Sequence, residues 1–344
     1  MKFGLQLSSW GIQPPSDTTE LVKAAEQAGF DAVFTDETRG SDAYTPLAWL
    51  GAATRRIRLG TSVAQLSART PTACAMAGLT LDHLSGGRHI LGLGGSAPEV
   101  VEGWYGQPSD APLARTREYV DILRQVWARE RPAKSPGPHY PLPLTSTGTT
   151  GLGTAIKSIV HPIRADIPIF LSADGPESMA LAAEIADGWL PNFYAPRLAD
   201  TYNEWLDVGF NRTGARRACN DFDICVTTQL IVTRDRGAAI TRAKRLWALR
   251  IGDIATGNSI HPDLYRATGY FEAAKEVAAL LREGRTDRAA SAIPDEFIED
   301  YAIIGDLGYV RDKINMCESA GVTMLLLEHQ TVQDISQCGA LIST

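Results

Sequence analysis

The chain has no run of basic residues, and its 33 Lys and Arg are outnumbered by 40 Asp and Glu, giving a net charge of −7. Holding a phosphate backbone requires clustered cations, so no nucleic-acid partner is expected. Uninterrupted apolar runs of about 18 residues are also missing, and no membrane span is expected. The opening stretch MKFGLQLSSWGIQPP carries no apolar segment of signal-peptide length. Cysteine is scarce: Cys74, Cys219, Cys225, Cys317 and Cys338 are odd in number and scattered, without a C-x-x-C pair. That usage fits reduced thiols in a cytoplasmic protein better than a disulfide framework. The six histidines (His83, His89, His139, His161, His261, His329) form neither H-x-H nor H-E-x-x-H, so no metal site is expected. PLTSTGTTGLG (143–153) lacks the G-K-[ST] ending of a phosphate-binding P-loop, and no G-x-S-x-G serine elbow occurs.

What is present is a regular beat. Short apolar runs at 3–8, 31–36, 57–63 and 88–94 alternate with helical patterns at 17–30, 43–54 and 70–85. Four such units within 100 residues imply parallel strands covered by helices. The beat resumes with strands at 167–173, 188–193, 223–233 and 322–328, the last preceded by a helical stretch over 304–321. Eight strands predict an α/β fold of the closed (β/α)8 TIM-barrel kind, read as a single domain over 1–344. Two insertions interrupt it, 131–166 between strands 4 and 5 and 252–300 before the last β–α unit. Such insertions are expected to wall the active-site face.

Two glycine-rich strand ends attract attention. LGLGGSAPE (91–99) places Gly94, Gly95 and Ser96 between a strand and a helix start, where an open backbone favours an anion or an oxygen-rich ring. SADGPES (172–178) repeats the arrangement with Ala173, Asp174, Gly175 and Pro176, and its free amides would suit a phosphate. Asp36 and Glu37 end the second strand, and His329 follows the last one, where side chains reach the barrel mouth. Trp10 and Trp189 lie at or near strand ends, where an aromatic could wall a ring-shaped cofactor.

These motifs together resemble the bacterial luciferase-like family. LTLDHLSGGRHILGLGGSAPE (79–99) carries its D-x-L-S-x-G-R pattern as Asp82, Leu84, Ser85, Gly87 and Arg88. FGLQLSSWG, GFDAVFTDE, LGTSV, EYVDILRQVW and LAAEIADGWLPNF follow in matching order. The variant is most similar to actinobacterial oxidoreductases that use the deazaflavin coenzyme F420, with FMN as the alternative cofactor. The resemblance implies a ring at the barrel mouth and a non-prolyl cis peptide at Ser62–Val63 against its face. Asp36 would stand beside the cofactor, Gly94–Ser96 near the ring or ribityl chain, and Ala173–Pro176 at the phosphate. Glu37, or His329 as second choice, would exchange the proton. The family's sugar-phosphate dehydrogenases have a histidine where Glu37 stands, an acid near Ala97 and a lysine near Tyr194, so glucose-6-phosphate chemistry is not expected here. Reduction of an activated alkene, imine or ketone by hydride transfer to a small organic substrate is expected instead, in a homodimer or larger homo-oligomer. The competing functions are an FMN-dependent monooxygenase on the same scaffold and a non-catalytic cofactor-binding barrel. A barrel lyase or aldolase would want a lysine at a strand end, and none is there.

Overall fold

Ten strands form the frame of the computed structural model, which describes all residues except 8, 147, 256–264, 267 and 343–344. They are β1 (Lys2–Gln6), β2 (Ala32–Thr35), β3 (Arg58–Thr61), β4 (Ala64–Gln65), β5 (His89–Gly94), β6 (Ile169–Ser172), β7 (Gly188–Leu190), β8 (Asp223–Val232), β9 (Ala302–Gly305) and β10 (Met324–Glu328). All ladders are parallel, in the order β10-β1-β2-β3-β5-β6-β7-β8. The first half of β8 then pairs with β10, Cys225 opposite Met324 through Thr228 opposite Leu327, which closes an eight-stranded barrel. Ser8, His261 and most of the first part of the second insertion (256–264 and 267) lie outside the described residues.

The barrel interior is filled by a bulky side chain on one strand meeting a glycine on the next. Phe34, Phe170 and Leu326 are almost fully buried there with Ile90, Leu190 and Met324. A Cβ on Gly60 would lie 2.2 Å from the Phe34 ring, and one on Gly188 would lie 2.7 Å from Phe170. The missing side chains are what let the rings enter, as layered barrel packing requires. Around this frame the helices Thr18–Gln27, Tyr44–Ala53, Pro71–Ser85, Pro112–Ala128, Pro176–Ile185 and Leu307–Ser319 bury an outer shell of Leu, Val, Ile and Ala.

Three expectations need correction. The third strand does not run to Val63: it ends at Thr61, the Ser62–Val63 peptide is cis, and β4 resumes pairing, with β5. The stretch 304–321 is not all helix. Ala302–Gly305 forms β9 against the second half of β8, and the helix starts at Leu307, its Asp306 side chain accepting from the Tyr309 amide at 2.9 Å. The insertion 131–166 joins a helix to a strand, so it starts on the face opposite the mouth. Its Ala133 amide donates to the Ile156 carbonyl at 3.1 Å, and His83 contacts the His161 carbonyl at 2.8 Å. Between these anchors it climbs beside Pro112–Ala128 until the Glu118 carboxylate accepts from the amides of His139 and Tyr140, each at 3.0 Å. Its tip therefore reaches the mouth after all. The second insertion follows the strand end of β8. Its helices Phe271–Arg282, Thr286–Ser291 and Asp295–Tyr301 share a separate core with the preceding helix Arg236–Ala255 and with Phe193.

Candidate active site

At the carboxyl ends of the strands two cavities adjoin. The larger, about 1300 Å³, lies over the ends of β2 to β6, and the smaller, about 480 Å³, over β1, β7, β8 and β10. Asp36, Ser62, Val63, Ser172 and Asn192 line both. The break between β3 and β4 thus stands at their junction. Val63 lies over Gly94, where an added Cβ would come within 2.8 Å of its Cγ2. Gly94 is consequently underlayer, whereas Gly95 and Ser96 line the larger cavity. A Cβ on Gly95 would meet nothing within 4 Å, so the backbone there forms an open shelf.

The second-strand carboxylates separate as alternation along a strand demands. Glu37 is 4 % exposed and both of its carboxylate oxygens are engaged. Oε1 accepts from Arg69 Nη1 at 2.5 Å and Oε2 from the Gln65 amide at 2.9 Å. The Arg69 guanidinium in turn lies over the Tyr44 ring, 5.0 Å from its centroid. Glu37 therefore ties the segment after β3 to the end of β2. Asp36 accepts a hydrogen bond from the Ser9 hydroxyl. Burial pushes its carboxyl above the usual aspartate range, with Ser9 and the Arg250 charge pulling the other way.

Across the mouth, Ala173, Asp174 and Gly175 line the larger cavity; Pro176, at the first helical position, does not. The amides expected to be free are occupied: those of Asp174 and Gly175 donate to Ser178 Oγ at 3.3 and 3.1 Å. The Asp174 carboxylate also accepts from the Asn192 amide at 3.0 Å. Cations face the larger cavity elsewhere, from Arg69 and Arg115, and His139 lines it beside them.

His329 lines the smaller cavity, beside Arg250 and Glu328. Arg250 Nη1 lies 3.3 Å from both Glu328 oxygens, and its guanidinium stacks over Trp247 at 4.9 Å. The aromatics expected to wall a ring do not. Trp189 is 1 % exposed and donates its indole N–H to the Ala173 carbonyl at 2.7 Å, propping that turn from below. Trp10 lies against Gly40, outside both cavities. Trp104 and Tyr105 line the larger cavity instead. Reading the sequence missed them, with Arg69, Arg115, Asn192 and Arg250, because each comes from a loop or helix whose approach to the mouth leaves no local signal. Among the described residues no group of three or more His, Cys, Asp or Glu could hold a metal ion, and no helix is long and apolar enough to cross a membrane.

Comparison with known proteins agrees with this arrangement. The family model for luciferase-like monooxygenases matches residues 2–324. A Mycobacterium tuberculosis protein provisionally named a coenzyme F420-dependent oxidoreductase is 61% identical over 343 residues, 99% of either chain. A 5,10-methylenetetrahydromethanopterin reductase of Archaeoglobus fulgidus is 30% identical over 335 residues, 95% of this chain and 92% of that one. The solved structure of the coenzyme F420-dependent tetrahydromethanopterin reductase of Methanopyrus kandleri shares the fold with a TM-score of 0.81 at 24% identity, covering 98% of this chain and 97% of its own. A closed parallel barrel whose third strand breaks at a cis peptide in the mouth, matched over nearly its whole length by these proteins, makes the chain a member of the luciferase-like monooxygenase family.

Proposed function

We propose that the chain is a coenzyme F420-dependent oxidoreductase that transfers a hydride between the deazaflavin and a small organic substrate. The observation that carries this reading is the pair of adjoining cavities, one of cofactor size and one of substrate size, meeting at Ser62 and Val63. The residues present fit the cofactor. Gly95 offers an open shelf, Trp104 and Tyr105 an aromatic wall, and Arg69 and Arg115 positive charge for an anionic tail. When bound, F420 supplies a two-electron hydride donor or acceptor, the difficult part of the chemistry.

The chain contributes position and polarity. Val63 and Ser62 wall the boundary between the cavities, Ser96 borders the larger one, and Gly94 makes room for Val63. Ala173–Gly175 border the tail region with Ser178, whose hydroxyl already takes two of the amides. An anionic tail is accordingly assigned to the cationic side chains more than to those amides. Glu37 serves the site by holding Arg69 through one carboxylate oxygen and the Gln65 amide through the other. His329, Arg250 and Glu328 belong to the substrate side.

Fluorescence titration tests the cofactor. Micromolar binding of F420 with no binding of FMN is expected, and the reverse result would overturn the reading in favour of an FMN-dependent monooxygenase. Oxidation of reduced F420 against a panel of activated alkenes, imines and ketones then tests the reaction. Binding of F420 without turnover of any panel member would favour a non-catalytic cofactor-binding protein.

A further inference from the structure

Reducing a C=C, C=N or C=O bond requires two deliveries to neighbouring atoms, a hydride to one and a proton to the other. The hydride crosses where the cofactor and substrate cavities meet, so the proton must be available at that same boundary. Among the described residues, Asp36 is the one titratable side chain that lines both cavities. Glu37 lines only the larger and is tied to Arg69 and Gln65; His329 lines only the smaller.

We propose that Asp36 delivers the substrate proton and that Ser9 links it to solvent. The proposal rests on the oxidoreductase reading above. Asp36 sits at the end of β2, and its Oδ2 is hydrogen-bonded to the hydroxyl of the exposed Ser9. A hydroxyl both donates and accepts, so it can pass a proton inward from water. The balance is simple. The hydride's electron pair forms a new C–H bond on the substrate, and the π pair moves to the neighbouring atom. That atom takes the proton of Asp36, and the resulting carboxylate is reprotonated from water through Ser9, leaving the deazaflavin oxidised. The titratable and charged groups facing the site are Arg250 from the helix Arg236–Ala255 and Glu328 and His329 from the end of β10, with the Glu37–Arg69 pair behind. Desolvation of the carboxyl acts in the direction a proton donor needs.

Carboxyl ¹³C NMR of aspartate-labelled protein, without cofactor, reads the residue directly, its signal identified by its absence in Asp36→Asn. The expected midpoint lies above the ordinary aspartate value near 4. Ser9→Ala should move it further upward, because the lost hydrogen bond favours the ionised form. A midpoint at or below the ordinary value, or one unmoved by Ser9→Ala, overturns the proposal and leaves the F420 reading intact. On the panel substrate turned over fastest, at saturating F420, Asp36→Asn should lower kcat about 100-fold or more. Retention of kcat within threefold, or a loss confined to F420 affinity, overturns the donor role. If the wild-type chain binds no F420, or oxidises its reduced form with no panel member, the functional reading fails and the proposal with it.

Discussion

Space above Gly95 is empty to 4 Å because it is the floor of the larger cavity, so the residue is a probe of that cavity rather than of folding. Gly95→Leu is expected to leave thermal stability within about 0.5 kcal/mol, as at other unpacked positions, while weakening F420 binding at least tenfold in a fluorescence titration. Asp187 is the opposite kind of residue. It is 5 % exposed and holds Arg124 at 2.5 Å, Arg216 at 2.8 Å and Arg217 at 2.7 Å, besides accepting from the Ile169 amide at 2.8 Å. Burial alone would raise its pKa, but Arg124 foremost, then the Ile169 amide and Arg216, outweigh it and hold the carboxyl below the usual range. Its stabilisation is therefore present above about pH 4 and is lost as pH falls through the depressed value. Asp187→Asn leaves three cations short of their partner and should cost about 3 kcal/mol at neutral pH, read by urea denaturation. Both predictions concern residues that look alike in the sequence, small or acidic in a polar neighbourhood. Sequence spacing brought Asp36 and Glu37 to the mouth correctly but could not say that Glu37 meets Arg69, because that pairing joins a strand end to a loop 32 residues away.

Elements impose sharper limits than single side chains. Phe34 on β2 fits only because Gly60 on β3 has no Cβ, the approach being 2.2 Å. Gly60→Ala must push a buried aromatic ring aside, and overpacking of this kind costs about 2 kcal/mol. A lowered urea midpoint with an unchanged denaturant slope checks it. The strand pattern was readable because β-branched and Leu-rich runs alternate with helical spacing. β9 was not readable, since Ala302–Gly305 is a four-residue strand immediately followed by a helix, and the two patterns overlap. β9 exists because β8, ten residues long, extends beyond its pairing with β10 and offers an open edge. The route of 131–166 shows the same limit. Its composition marks it as an insertion, yet only the contacts of Glu118 with His139 and Tyr140 take its tip to the larger cavity.

At the scale of the whole molecule, acid sensitivity has an identifiable contributor in His89. Its ring is wholly buried, its Nδ1 lies 2.9 Å from the Leu59 carbonyl, and burial pushes its pKa down to about 4. Between the unfolded value near 6.5 and about 4, the unfolded chain takes up a proton that the native barrel refuses. Stability tied to this group is complete above pH 6.5 and declines as pH falls, by about 3 kcal/mol in total by pH 4. His89→Gln, which can still donate to Leu59, should flatten the difference in thermal unfolding between pH 7 and pH 4 by that amount.

What the amino-acid order determined was the barrel, the family and the strand ends that face its mouth, because periodicity, glycine placement and the D-x-L-S-x-G-R pattern are local properties. Even the break at Ser62–Val63 was reached through a short motif. Tertiary structure alone decided which of those strand-end residues share a boundary. Asp36, Ser62, Ser172 and Asn192 come from four separate strand ends, and they meet only when the sheet curls until β8 pairs with β10. Closure turns distances along the chain into distances across a mouth, and the second kind determines which side chains line both cavities.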